Sequence, residues 1–126
     1  MPYTITWRDR GTYTKLVGKV TIDEVAEANN EHYYHSRFKD ITYQLFDFTE
    51  ADCSDVTLAD TKYPAAFDTA ANFYKKKFKV AMVVADEHTK ILCLTYIKHA
   101  NRYATSWEME VFDSVAAANT WCGEVE

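Results

Sequence analysis

The sequence predicts an α/β fold: a mixed sheet of about five strands that opens with an antiparallel hairpin and carries about four helices. Three observations predict it. Runs rich in β-branched and aromatic residues end on an aspartate and hand over to helix-like runs three times, at Ile41 to Asp47, Phe78 to Asp86 and Trp107 to Asp113. Ahead of them stand two short alternating runs joined by turn residues. The chain also has only 3 glycines and 2 prolines in 126 residues, which argues against long irregular loops. A chain of this length is expected to form one domain, residues 1–126, that buries a sizeable core without disulfide staples.

Tyr3 to Trp7 alternates in the manner of a strand, Asp9-Arg10-Gly11 supplies the turn, and Thr12 to Val17 returns. After Gly18, Thr21-Ile22-Asp23-Glu24 reads as a capping box, in which the Thr21 hydroxyl accepts from a first-turn amide and Glu24 reaches back. A helix of about four turns should follow, with Ile22, Val25, Ala26, Asn29 and Tyr33 on one face. Ile41 to Asp47 is a buried strand by composition, and the polar stretch Thr49 to Asp55 is expected as a loop.

A helical pattern then runs from Thr57 to about Lys76, with Leu58, Ala66, Phe67, Ala70 and Phe73 or Tyr74 toward the core. Pro64 is expected to give a short first turn and a restart. Lys79 to Ala85 is the most continuous apolar run outside the hairpin and suits a strand covered on both faces. Thr89 to His99 fits a strand or a buried helix, and its place between two strands favours a crossover helix. Ser106 to Phe112 alternates as an edge strand should, and Asp113-Ser114 caps a last helix, Val115 to about Cys122. The order is β-β-α-β-α-β-α-β-α, with no internal repeat or linker.

Hydrophobic residues make up 48% of the chain, so it folds, and the formal net charge of -5 argues against a general affinity for nucleic acid phosphates. The basic run Lys75-Lys76-Lys77 with Lys79 is placed at a helix C-terminus, where cations complement the dipole. Cys53, Cys93 and Cys122 are odd in number and form no CxxC pattern, which implies a reducing cytoplasm. The start, Met1-Pro2-Tyr3-Thr4, lacks a basic region followed by an apolar core, and no run has the length of a membrane span.

The hairpin start, Leu45-Phe46-Asp47, the strand Val80 to Asp86 and the tail Val111 to Trp121 recur in the order and spacing of a known group. The chain resembles the small bacterial proteins of the SpoIIAA-like (STAS/Sec14-like) family over most of its length. The resemblance implies a mixed sheet with helices around it and a non-enzymatic regulatory module. In relatives that antagonise anti-sigma factors, a serine at the start of the second helix, preceded by aspartate and followed by glycine, is phosphorylated by a partner kinase. Here the aspartate falls near Asp55, the serine near Val56, and the glycine is missing; Ser54 and Thr57 are the neighbouring hydroxyls.

Other constellations weigh less. Asp47, Asp86 and Asp113 could bind Mg²⁺ and accept a phosphoryl group as receiver domains do, or serve as caps and turns; no acidic pair or following lysine completes the first reading. His32 and His35 can face one side of a helix but lack further zinc ligands, so they are read with Tyr33 and Tyr34 as a surface or interface cluster. His88 and His99 are assigned to loop or helix-end duty. Cys93 and Cys122 are read as core, and Cys53 as the exposed thiol, held unreactive by Glu50 and Asp52. No phosphate-binding glycine loop and no GxSxG elbow is present.

The aromatic surplus, which includes Tyr33, Tyr34, Phe38, Tyr63, Tyr74, Tyr96, Tyr103 and Trp107, leaves three readings open: a tightly filled core, a homodimer interface, or an apolar ligand pocket. The expectation is therefore a protein-interaction module without catalytic residues, metal or cofactor. Asp47, Ser54, Asp55 and Thr57 are its candidate partner-facing or regulatory residues, and the partner is an unidentified protein. The alternative is a binder or sensor of a small apolar, lipid-like ligand, with Tyr33, Tyr34, Tyr63 and Tyr96 at the pocket or interface.

Overall fold

The computed structural model describes residues 3–72, 75, 77–102 and 106–123, so Phe73, Tyr74, Lys76 and Tyr103 lie outside the described residues. The hairpin forms as expected from β1 (Tyr3–Trp7) and β2 (Gly11–Lys19), followed by α1 (Ile22–Tyr33) and β3 (Tyr43–Asp52). A 3-10 turn at Ala59–Thr61 leads into α2 (Lys62–Asn72), and β4 (Lys79–Val83), α3 (Glu87–Arg102), β5 (Glu108–Phe112) and α4 (Val115–Cys122) complete the chain. The sheet order is β1-β2-β3-β4-β5, with only the β1–β2 pair antiparallel. No described helix is long and apolar enough to cross a membrane.

Because the parallel strands advance one place at a time in one direction, crossovers of the usual right hand put α1, α2 and α3 on one face, with α2 between the other two. Chain order alone thus sets the helix layer. Returning after β5, α4 packs on β3, β4 and β5 and covers Tyr43, Leu45, Ala81 and Val83 on the opposite face. Arg8 ties the hairpin to this layer by donating to the Tyr43 hydroxyl at 3.1 Å and to Asn119 Oδ1 at 2.9 Å.

The Thr21–Glu24 capping box is present, and the 89–99 segment is helix, as its crossover position favours. Pro64 sits in the first turn of α2, after the 3-10 turn, where its missing N–H leaves no helical bond unmade. Other expectations need correction. β3 does not end at Asp47; the stretch from Thr49, expected as a loop, is strand as far as Asp52, because β2 continues alongside to Lys19. A bulge gives β3 one extra residue between the pairs Lys15–Asp47 and Val17–Glu50.

The rotation of α2 is also different. Leu58, Ala66, Phe67 and Ala70 face solvent, and Thr61, Pro64, Ala65, Asp68 and Ala71 face the core. Asp68, a carboxylate, occupies the middle of the buried face, so apolar spacing alone points to the wrong side. In α1 the buried residues are Ala28, Asn29 and His32, so His32 is no surface residue. Its Nδ1 meets the Ala28 carbonyl at 2.7 Å, which can only accept, so Nδ1 carries the proton and Nε2 accepts from Thr12 Oγ1 at 2.8 Å. Burial pushes its pKa down and keeps it neutral. His35 is exposed and stacks on Trp7 with ring centroids 4.0 Å apart.

Of the basic run, Lys75 lies over Phe38 and Phe78 and donates to the Lys39 carbonyl at 3.1 Å, and Lys79 lies over Trp121. Lys75 and Lys79 thus make ring and carbonyl contacts just past the end of α2.

Gly11 pairs with Tyr43 across β2 and β3, and a Cβ added at Gly11 would overlap the fully buried Tyr43 ring. The Gly11→Ala variant is expected to lose about 1–3 kcal/mol of stability, from the overpacking of a close-fitting site. Equilibrium urea unfolding checks this: the midpoint falls and the slope stays unchanged.

Candidate functional site

Beneath the helix layer lies an apolar cavity of about 80 Å³. Its floor is Phe46 and Phe48 of β3 with Val80 and Met82 of β4, alternate residues that a strand turns to one face. Ile22, Val25 and Asn29 of α1 wall one side, and Leu92, Cys93 and Tyr96 of α3 the other. The segment after β3 lies against it through Cys53, Val56 and Thr61. Carbon and sulfur supply nearly all of the lining, to which Asn29 of α1 also contributes.

A carboxylate shared by two tyrosines adjoins the cavity. Tyr33 of α1 and Tyr96 of α3 each donate a short hydrogen bond to Asp68 of α2, one to each carboxylate oxygen. Tyr96 belongs to both features, since its ring lines the cavity and its hydroxyl reaches Asp68. Burial raises the Asp68 pKa to about 7 against the opposing pull of the two hydroxyls, and burial also pushes both tyrosines well above their ordinary value.

The sequence candidates divide. Of the four tyrosines, Tyr33 and Tyr96 meet at Asp68, while Tyr34 is 88% exposed and Tyr63 60% exposed. Asp47 is buried and set apart from the other three polar candidates: it shares the α4 face of β3 with Tyr43 and Leu45. There it accepts from Tyr13 and from the amide and hydroxyl of Thr49, at 2.9 and 2.7 Å, taking up the amide that the bulge frees. Burial works against its charge, but these donors hold its pKa below the usual value.

Ser54, Asp55 and Thr57 are exposed together on the segment against the cavity. Asp55 pairs with Lys19 at 3.2 Å, and Thr57 and Asp60 exchange backbone-to-side-chain bonds at 2.9 and 3.2 Å. Val56, standing where the family's acceptor serine would be, is buried in the cavity wall.

The three aspartates first read as strand ends are not brought together as one site. Asp86 serves as a cap, holding the start of α3 through the Thr89 amide at 2.9 Å and hydroxyl at 2.7 Å. The cap of α4 is Ser114, and not Asp113, accepting from the Ala117 amide at 3.1 Å. Cys53, expected as the exposed thiol, is buried, and burial raises its pKa further above a reactive range. Cys93 and Cys122 are buried as expected. His88 stands at a helix end, in the first turn of α3: its Nε2 lies 3.2 Å from the carbonyls of both Cys53 and Val56 and so clips α3 to the cavity wall. Among the described residues, no group of three or more His, Cys, Asp or Glu could hold a metal ion.

Asp68 and Asn29 are what sequence reasoning missed as site residues. Asn29 carried a signal, a polar residue on a face predicted to be buried. Asp68 carried none, because its partners come from helices 35 and 28 residues away.

The raised pKa of Asp68 means that the folded chain holds a proton that the unfolded chain releases near the ordinary value of 3.8. The contribution of Asp68 to stability should therefore be greatest below that value, fall as pH rises through the interval up to about 7, and level off above it. Asp68→Asn, neutral at every pH, should flatten that decline; urea midpoints at several pH values check it.

No protein-family model and no curated protein matches this sequence. Among solved structures, the chain is similar to an uncharacterised protein of the DUF3478 family from Shewanella loihica PV-4, which has a SpoIIAA-like fold. The two share 20% identity at a TM-score of 0.51, over 95% of this chain and 91% of that one. Five strands in a mixed sheet, the opening hairpin, four helices and this likeness together identify the architecture of the chain as a SpoIIAA-like fold.

Proposed function

We propose that this protein is a non-catalytic module that takes a small apolar ligand into the cavity between its helix layer and sheet. The observation that carries this reading is the lining itself: apolar atoms nearly throughout, with Asn29 among the lining residues to receive a polar end group. A cavity of about 80 Å³ is roughly half the size of an apolar void of about 150 Å³ known to admit benzene, so the ligand is slender, such as a short aliphatic chain with one hydrogen-bonding end. The buried, high-pKa Cys53 supports a role other than nucleophilic catalysis. Three free, buried thiols support a reducing compartment such as the cytoplasm.

Ligand occupancy has a route to the surface. Val56 touches the cavity while its neighbours Ser54, Asp55 and Thr57 face solvent, so filling the cavity would shift the residues a protein partner could read. That exposure also favours a second reading, in which a partner docks on residues 54–57 without any ligand. Charge reversal at Asp55 and Thr57 that left every captured partner in place would exclude it.

Straight-chain alcohols and carboxylic acids of increasing length, tested by thermal shift and native mass spectrometry, should raise the melting temperature and bind one per chain. Val25→Phe, which fills the cavity from α1, should remain folded and abolish the shift, and Asn29→Leu should weaken alcohols and acids. A series in which no member binds would sink the ligand reading.

A further inference from the structure

The sheet ends on a strand that carries no charge. β1 stands first in the strand order, so one of its edges has no neighbouring strand, and its five residues, Tyr3 to Trp7, include no charged residue, proline or bulge. The opposite edge strand, β5, carries Glu108 and Glu110, the kind of residue that blunts an edge against further pairing. The hairpin turn decides which backbone groups of β1 face outward. The Arg8 amide donates to the Gly11 carbonyl at 2.8 Å, which makes these two a hydrogen-bonded pair across the strands. Alternation along the ladder then turns the N–H and C=O groups of Thr4 and Thr6 toward β2, and those of Tyr3, Ile5 and Trp7 toward the open edge. The two ends of the strand also differ in charge. At one end the Tyr3 hydroxyl donates to Glu31 Oε1 at 2.5 Å, with Glu27 nearby, and both glutamates are exposed. At the other, His35 stacks on Trp7 and the Arg37 guanidinium lies 5.7 Å from the centre of the same ring.

We propose that a second copy of this chain pairs with this edge, β1 antiparallel to β1, about a two-fold axis that passes beside Ile5 perpendicular to the sheet, so that the two sheets become one. With the axis at Ile5, that residue pairs with its own counterpart and Tyr3 pairs with the second copy's Trp7, so all three outward-facing residues gain ladder bonds. An axis at Thr4 or Thr6 would leave Trp7 or Tyr3 with no residue of β1 opposite. An axis perpendicular to the sheet also keeps both helix layers on one side, the side to which Tyr3, Ile5 and Trp7 point. Glu27 and Glu31 beside Tyr3 then face Arg37 and His35 beside the second copy's Trp7, twice by symmetry. Parallel pairing would set Tyr3 beside Tyr3 and turn the helix layers to opposite sides, which loses this match. The strand is thus complementary to itself in both hydrogen bonds and charge, and that favours a second copy over an unrelated strand. On the other face of the sheet, the exposed Thr4 stands directly opposite the second copy's Thr6. The cavity lining includes no residue of β1 among those described, so the dimer and ligand uptake are separate properties.

Sedimentation equilibrium from micromolar to millimolar protein tests it, with circular dichroism confirming that each variant folds. The parent chain should dimerise. Ile5→Pro removes an outward-facing N–H and no bond to β2, and should weaken the dimer by about tenfold or more. One chain carrying Thr4→Lys and Thr6→Lys, and another carrying Thr4→Glu and Thr6→Glu, should each be monomeric alone, because each sets like charges directly opposite one another at both positions. Mixed together they should dimerise, since lysine then faces glutamate in both pairs. A parent chain monomeric at millimolar concentration overturns the proposal, as do lysine and glutamate chains that each dimerise as the parent does, or a mixture that stays monomeric.

Discussion

The helix layer is organised around one buried carboxylate. Asp68 on α2 receives the hydroxyl of Tyr33 from α1 and of Tyr96 from α3, so a single side chain joins all three helices on that face. Removing either hydroxyl from so buried an acceptor costs about 1–3 kcal/mol. The interaction also fixes rotation, because α2 can reach both tyrosines only by turning Asp68 inward. Ala65 and Ala71 follow it into the core, and Tyr63 and Phe67 are left outside. The apolar outer strip is therefore a consequence of a polar contact within.

The same arrangement bears on the cavity. Tyr96 is held by its hydroxyl while its ring forms part of the wall, which limits how far α3 can settle toward β4. On the neighbouring side, His88 holds the Cys53 and Val56 carbonyls and keeps the segment after β3 in place. Polar contacts at the periphery thus keep an apolar space open that close packing would otherwise fill. Where the SpoIIAA-like resemblance implies a phosphorylated serine, the chain places Val56 in this wall, so chemistry expected at the surface gives way to packing against the space.

Much of the fold is legible in the residues. The Thr21–Glu24 box, the turn at Asp9 to Gly11, the alternation from Glu108 to Phe112 and the Pro64 restart are local signals, and local structure follows them. The extent of β3 is not local: Glu50 to Asp52 are polar and join the sheet only because Val17 to Lys19 run beside them. Likewise, which of Asp86, Asp113 and Ser114 caps a helix depends on which side chain meets a free amide, and near neighbours in sequence cannot decide it.

By itself, the sequence determined the number, kind and order of the elements, because hydrophobic period, capping chemistry and turn residues act within a few positions of one another. Through that order it also determined the face on which each crossover helix lies. Only the tertiary structure decided which side of α2 is buried, that His32 and Cys53 are interior, that Asp47 belongs to the α4 face, and that a cavity lies beside Val56. The physical reason is common to them all: a polar side chain is buried when a partner is waiting, and those partners stand on other elements, far along the chain.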